Sequence, residues 1–270
     1  MVPTPIYRPE LGHPMRVACF MSGSGTNARR IIERSQMYGA SFKVELIFTD
    51  VKDETLGRDG IKACRALDIA KEFGIEYACV DIMDFYRSRG LTSKRDLSFR
   101  PDFDRLVVDA VEGHNVDMIA LAGYMSITTR PLLSRYDGKI VNVHPADLTI
   151  MAGGESKYVG VNAVRDAILG GEKVLRATTH VVREKVDNGE ILVLSKPVEV
   201  RFPAGVTLER LRDDKELLKT VVEEHQDRLK REGDWEIYPL TVQMIGEGRF
   251  ALEKDVVYLD GKPLPVGFRL

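Results

Sequence analysis

The sequence predicts an α/β protein built on a doubly wound, mostly parallel sheet, with a helix and hairpin extension at its C-terminal end. Three observations carry this. Short, nearly continuous apolar runs alternate with amphipathic stretches over residues 15–144, the pattern of buried parallel strands covered by helices on both faces. The first run ends in a glycine corner, Ser22-Gly23-Ser24-Gly25. Beyond residue 200 the strands give way to a long charged helical stretch and a hairpin signal.

After a Pro-rich lead over residues 1–14, MRVACFM (15–21) reads as a buried strand closed by the glycine turn. Thr26 or Asn27 is the expected cap of the next helix, because Ala28 to Met37 gathers its aliphatics on one face. KVELIFT (43–49) is the second strand, Ile61 to Phe73 a helix, EYACV (76–80) the third strand and Asp102 to Gly113 another helix. VDMIALA (116–122) and KIVNVH (139–144) continue the sheet. A Gly-rich loop (MAGGES, 151–156) follows, then a helix from Asn162 to Leu169 and two strands, RATTHVV and EILVLSKPVEV. Thr207 to Lys230 reads as a long helix, Tyr238 to Ile245 as a short one, and LDGK (259–262) as the turn of a closing hairpin. The expected division is an N-terminal extension (1–14), an α/β domain (15–200) and a C-terminal subdomain (201–270) packed on it. No linker or repeat separates the halves, so they are expected to form one continuous unit.

A chain of 270 residues, 44% hydrophobic and 30% charged, has the length and composition of a globular protein with a sizeable core. Lys plus Arg number 39 against 41 Asp plus Glu. That balance lacks the basic excess of a protein living on phosphate backbones, so a nucleic-acid partner is not expected. No apolar run approaches the roughly 18 residues of a membrane span, and the start MVPTPIYRPELGHP lacks the apolar core of a signal peptide. The expected address is the cytoplasm, with no membrane partner. Cys19, Cys64 and Cys79 are odd in number and lack metal-ligand spacing, so they are expected to be buried thiols, with no disulfide frame and no metal.

Three stretches could carry chemistry. The corner Ser22 to Asn27 lets backbone N–H groups approach an anion at a helix N-terminus, which suits a phosphate. Gly23, Gly25 and Ala28 also satisfy G-x-G-x-x-A, and Asp50 then stands where a dinucleotide fold places its ribose-binding acid. A tight turn with no ligand satisfies the same pattern. The second stretch is Asn142-Val143-His144-Pro145. Strand alternation puts Asn142 and His144 on one face at the carboxyl edge of the sheet, one a neutral donor for an oxyanion, the other titrating near pH 7. A satisfied polar pair at a sheet edge is the plain alternative. Third comes His180 with Asp187 in THVVREKVDNGEI, where Asp187 alone would be an ordinary turn residue.

Taken together and in this order, these stretches resemble the folate-dependent formyltransferase family, in particular its purine-synthesis branch. The similarity runs through RVACFMSGSGTN, LAGYMSITTRPLLSRYDGKIVNVHP and THVVREKVDNGEILV, with a weaker tail in DWEIYPLTVQMIGEGRF and VVYLDGKPLP. The resemblance implies a Rossmann-like formyltransferase fold and small-molecule partners. It implies transfer of a formyl group from 10-formyltetrahydrofolate, the co-substrate, to the primary amine of glycinamide ribonucleotide. By position Asn142 would stabilise the oxyanion, His144 would be the catalytic His, and Asp187 would orient and charge it. Gly25, Thr26 and Asn27 would hold the substrate phosphate, Asp234 would lie near the glycinamide amine, and Arg100 and Met125 would face the folate. A homodimer is one assembly the sequence allows.

The chain also departs from the family. HPADLTI followed by MAGGESKYVG replaces the usual HPSLLP, which lengthens the path from His144 to His180, and Ser126 stands where an Arg is common. Residues 146–157 are therefore expected to form a mobile or rebuilt loop over the site. Alternatives left open are another formyltransferase, a formyltetrahydrofolate hydrolase, a non-catalytic relative and a nicotinamide-dependent oxidoreductase, the last resting on Asp50 and the glycine pattern.

Overall fold

The computed structural model describes residues 2–270. An eight-stranded sheet lies at its centre. Five strands run parallel: β1 (Met15–Met21), β2 (Phe42–Thr49), β3 (Glu76–Cys79), β4 (Met118–Leu121) and β5 (Ile140–His144). Next to β5, β6 (Thr178–Val181) runs antiparallel; β7 (Ile191–Leu194) is antiparallel to β6, and β8 (Phe268–Arg269) is parallel to β7. The order is β3-β2-β1-β4-β5-β6-β7-β8, so the direction of winding reverses between β1 and β4. Ligands of such sheets bind outside the carboxyl ends of the strands at this switch point.

Side-chain alternation in β1 explains the double winding. Val17, Cys19 and Met21 pack with α1 (Thr26–Ser35) and α2 (Ala66–Phe73) on one face, whereas Ala18 and Phe20 pack with α3 (Ile82–Arg87), α4 (Arg100–Glu112) and α5 (Arg130–Arg135) on the other. The first face also carries α6 (Ala163–Leu169), α8 (Lys215–Leu229) and α9 (Trp235–Gly246), with α7 (Leu208–Asp213) preceding α8. Burying each Phe or Ile of these clusters is worth roughly 1.5–3 kcal/mol, so the sheet edge that carries the polar site rests on a rigid double layer.

The main strands fall where the apolar runs predict, and the LDGK turn does as well: Leu259 pairs with Lys262 across Asp260 and Gly261. The helices differ more. Neither α3 nor α5 was expected, because six residues are too few to show a period; the signal lay in caps, Asp81 accepting the Asp84 N–H at 2.8 Å and Pro131 opening α5. Helix α2 starts at Ala66, not Ile61, since Gly57 N–H and Ile61 C=O close a loop at 2.7 Å. The long helix from Thr207 is broken at Asp214, whose carboxylate caps a new helix by accepting Leu217 N–H at 3.0 Å. Helix α9 begins at Trp235, directly after a π-turn over Lys230–Asp234, and keeps Pro239 one turn in, where the missing N–H forfeits a single bond.

The C-terminal segment is tied to the sheet by polar bonds in the core. Tyr238 hydroxyl donates to the Val141 carbonyl at 2.7 Å, and the Thr241 and Thr179 hydroxyls meet at 2.7 Å. Thr4–Pro5 pairs with the strand Phe250–Glu253 in a second, antiparallel sheet, so the N-terminal lead is held by the tail. Cys19 and Cys64 are buried thiols as expected, whereas Cys79 is only half-buried. Among the described residues, no helix is long and apolar enough to cross a membrane.

Candidate active site

The first part of the site is the start of α1. Gly25 has φ 70°, and a Cβ there would sit 2.4 Å from Ile69 Cδ1 and 2.6 Å from Met21 Cε, so glycine is needed both for its angle and for its bareness. Neither Thr26 nor Asn27 caps the helix: α1 begins without any side-chain cap. Asn27 is turned aside, its Nδ2 donating to Asp234 Oδ2 at 3.2 Å. The first-turn N–H groups are thus left without intrahelical or side-chain acceptors, at the positive end of the helix dipole. Asn27 Oδ1 and Asp234 Oδ1 are buried and also lack a partner. Burial pushes the Asp234 carboxyl up to about 6, against the opposing pull of Asn27 and Lys230. The hydrogen bond to Asn27 sets Asp234 at this uncapped helix start.

The second part lies at the end of β5. Asn142 and His144 share a face, and the antiparallel register with β6 sets His180 opposite Asn142 and Thr178 opposite His144. Asp187 comes from the β6–β7 connection with φ 54°. The chain can turn there because Gly189 presses on β6, where a Cβ would lie 1.8 Å from the Val181 carbonyl oxygen. Around Asp187 three groups converge. His144 Nδ1 is 3.3 Å from Oδ2, Gly160 N–H donates to Oδ2 at 2.8 Å, and His180 Nε2 lies 3.5 Å from Oδ1. Asn142 Nδ2 in turn sits 3.4 Å from His180 Nε2. The other ring nitrogens are held by main chain: His144 Nε2–H donates to the Tyr158 carbonyl and His180 Nδ1–H to that of Val181, each at 2.9 Å.

His144 is only 4% exposed. Burial lowers its pKa, an effect that Asp187 and the Tyr158 carbonyl oppose without reversing it and that the neighbouring His180 reinforces. Burial alone would raise Asp187, but the His180 hydrogen bond, the His144 charge and the Gly160 N–H together bring it below the ordinary carboxylate range. The pair therefore combines a neutral imidazole with an ionised carboxylate near neutral pH, which is the state an acid/base couple needs. His180, singled out in the sequence together with Asp187 but given no role of its own, is part of the cluster, its register setting it opposite Asn142.

The third part lies across the switch point. Arg100 is 2% exposed, donates Nη2 to the Lys94 carbonyl at 3.2 Å, and leaves Nε and Nη1 without partners. Met125, next in sequence to buried Ser126, is largely exposed, and its N–H donates to Ser22 Oγ at 2.9 Å. Asp50 is wholly buried. Ser22 Oγ donates to its Oδ1 at 2.5 Å, Ser126 Oγ donates to Oδ2, and the Lys94 ammonium stands 4.0 Å away. A ribose-binding acid must present lone pairs to the ligand, and Asp50 is wholly buried with each oxygen bonded to a loop serine. The nicotinamide alternative loses its main support.

The stretch after His144 is rebuilt rather than a plain glycine loop. Met151–Ala152 and Glu155–Ser156 form a small hairpin around Gly153-Gly154. It is braced by Ser156 Oγ on the Leu148 carbonyl at 2.8 Å, by Arg269 on Thr149 Oγ1 at 3.2 Å, and by an ion pair from Glu155 to Lys185 on the Asp187 loop.

An open α/β sheet with an uncapped helix start, and an Asn beside a His–Asp pair at its carboxyl edge, matches the make-up of an α/β group-transfer enzyme. The chain belongs to the formyl transferase family, whose model matches residues 15–216. It is 29% identical over 251 residues to the phosphoribosylglycinamide formyltransferase of Haemophilus influenzae, covering 93% of this chain and 96% of that protein. Among solved structures it is similar to glycinamide ribonucleotide transformylase 1 from Symbiobacterium toebii, with a TM-score of 0.63 and 26% identity over 92% of this chain and 95% of that one. A formyltetrahydrofolate deformylase from Pseudomonas syringae shares the fold at 18% identity and a TM-score of 0.61, covering 92% of this chain and 66% of its own.

Proposed function

We propose that this protein transfers the formyl group of 10-formyltetrahydrofolate to the primary amine of glycinamide ribonucleotide, with Asn142, His144 and Asp187 at the reacting centre. The observation that supports this most is the pairing of that trio with an uncapped helix start in one sheet edge: one binds a phosphate, the other handles an oxyanion and a proton. The amine attacks the formyl carbon, forming a C–N bond and placing negative charge on the formyl oxygen, which accepts a hydrogen bond from Asn142 Nδ2. His144 Nδ1 takes the proton the amine must lose, and Asp187 stabilises the imidazolium. Collapse breaks the bond to the folate nitrogen, and the proton is delivered there.

The phosphate sits on the backbone N–H groups of Gly25, Thr26 and Asn27. In glycinamide ribonucleotide the sugar follows the phosphate and the amine lies at the far end, so the unpaired oxygens of Asp234 and Asn27 face sugar hydroxyls. That moves Asp234 away from the amine, where the family resemblance had set it. Arg100, with two free guanidinium nitrogens, and the exposed Met125 form the folate side. The test is tetrahydrofolate release by the purified protein with and without glycinamide ribonucleotide. Release that depends on the ribonucleotide supports transfer. Release of formate without any amine would mean hydrolysis instead, and no release in either case would leave a non-catalytic relative.

A further inference from the structure

We propose that Tyr158 is a positioning residue for this reaction: anchored by its ring and hydroxyl, it aims its own main-chain carbonyl at Nε2 of His144 and thereby makes Nδ1 the working nitrogen. The proposal rests on His144 being the acid/base group of the transfer described above.

A neutral imidazole carries one proton, and the partner of one nitrogen decides which nitrogen keeps it. His144 stands between two acceptors. Asp187 lies 3.3 Å from Nδ1 and the Tyr158 carbonyl 2.9 Å from Nε2. Both partners can only accept, but the carbonyl makes a hydrogen bond whereas Asp187 approaches Nδ1 at ion-pair distance without one, so the proton sits on Nε2 and the Nδ1 lone pair stays free. Remove that carbonyl and the only acceptor left is the carboxylate, which draws the proton to Nδ1 and blocks the nitrogen that must receive one from the amine. The ring is buried, so water is a poor substitute for the missing acceptor.

The Tyr158 side chain fixes where that carbonyl lies. Its ring is 3% exposed, and its hydroxyl donates to Glu172 Oε1 at 2.6 Å. The Lys157 ammonium lies 4.7 Å from the ring centroid and 3.6 Å from the same Glu172 oxygen. At Gly170 a Cβ would come within 2.4 Å of the hydroxyl, so the start of the α6–β6 connection is bare where the tyrosine needs room. Two residues further on, Gly160 N–H grips Asp187. Residues 158–160 therefore touch both members of the couple.

The experiment combines ring-nitrogen NMR of histidine-labelled protein with the pH profile of kcat. In the unaltered protein at neutral pH, His144 is expected as the Nε2–H tautomer. Tyr158→Ala is expected to convert it to Nδ1–H, to lower kcat roughly 10- to 100-fold, as small misplacements of a catalytic group do, and to leave KM for the ribonucleotide nearly unchanged. Because the carbonyl stabilises the imidazolium, its loss moves the acid limb of the profile to lower pH. Tyr158→Phe keeps the ring but loses the hydroxyl bond to Glu172, and is expected to retain most of kcat with the tautomer shifted only partway. Should the alanine variant not fold, Glu172→Gln and Tyr158→Phe carry the test, each expected to shift the tautomer ratio partway. An Nδ1–H tautomer in the unaltered protein, or an unchanged tautomer and pH profile in folded variants, overturns the proposal. The NMR result stands apart from turnover: an inactive protein with the Nε2–H tautomer fails the functional assignment and not this one.

Discussion

The two ends of the candidate site treat polar atoms in opposite ways. Where α1 starts, first-turn N–H groups are uncapped and the Oδ1 atoms of Asn27 and Asp234 are buried without partners. At the end of β5, Asp187 is held by Gly160 and flanked by two histidines, each of which also bonds a main-chain carbonyl. An unpaired buried polar group costs about 1–3 kcal/mol, a cost at the first end that a bound ligand would relieve. The second is preorganised by the protein alone, which is what stabilising a developing charge requires. Changes at the centre should therefore act on kcat, and changes at the helix start on KM or on stability.

Asp187→Asn is the sharpest challenge to this contrast. Losing the charge behind His144 should lower kcat by about 10²- to 10⁴-fold with little change in KM; a variant with near-normal kcat would make Asp187 a turn residue and dissolve the centre. Asn142→Ala comes next, with a loss of roughly 10²- to 10³-fold in kcat for removing one oxyanion donor. A KM effect without a kcat effect would move Asn142 to the binding side.

Gly25→Ala tests the other end. The added Cβ collides with Ile69 and Met21 at a left-handed backbone angle, and the strain of roughly 1–2 kcal/mol should raise KM for the ribonucleotide about tenfold while kcat changes less. The smallest effect is expected from Asp234→Asn, measured as thermal stability against pH. Burial holds the Asp234 carboxyl at about 6 in the folded chain, above its ordinary 3.8. A raised carboxyl contributes stability that is fully present below the unfolded value and lost as pH rises through about 6. The amide should therefore stabilise the protein by on the order of 2 kcal/mol at pH 8 and hardly at all at pH 4, while weakening ribonucleotide binding. Equal melting temperatures for the two proteins at both pH values would show that the buried carboxylate finds a partner within the fold.

Much of this was legible in the sequence because it is local. Five apolar runs between glycine and proline punctuation gave the parallel strands, alternation put Asn142 and His144 on one face, and the corner before Thr26 marked the helix start. What stayed hidden depends on contacts between distant segments. Asp50 read as a ribose acid from its distance to the glycines, yet Ser126, 76 residues on, takes one of its oxygens. Asn27 read as a cap, yet its amide goes to Asp234, 207 residues away. That the two histidines share Asp187, and that a tyrosine carbonyl sets the proton of one, follows from β6 lying antiparallel beside β5 and from the residue 158–160 segment folding back over both. The sequence by itself determined the strands and their faces, since these need only side-chain period and turn chemistry, while the residues for formyl transfer came from the family resemblance. Only the tertiary structure decided which polar atoms are paired and which are left for a ligand, because a hydrogen bond is a matter of ångströms between chains of atoms that the backbone brings together last.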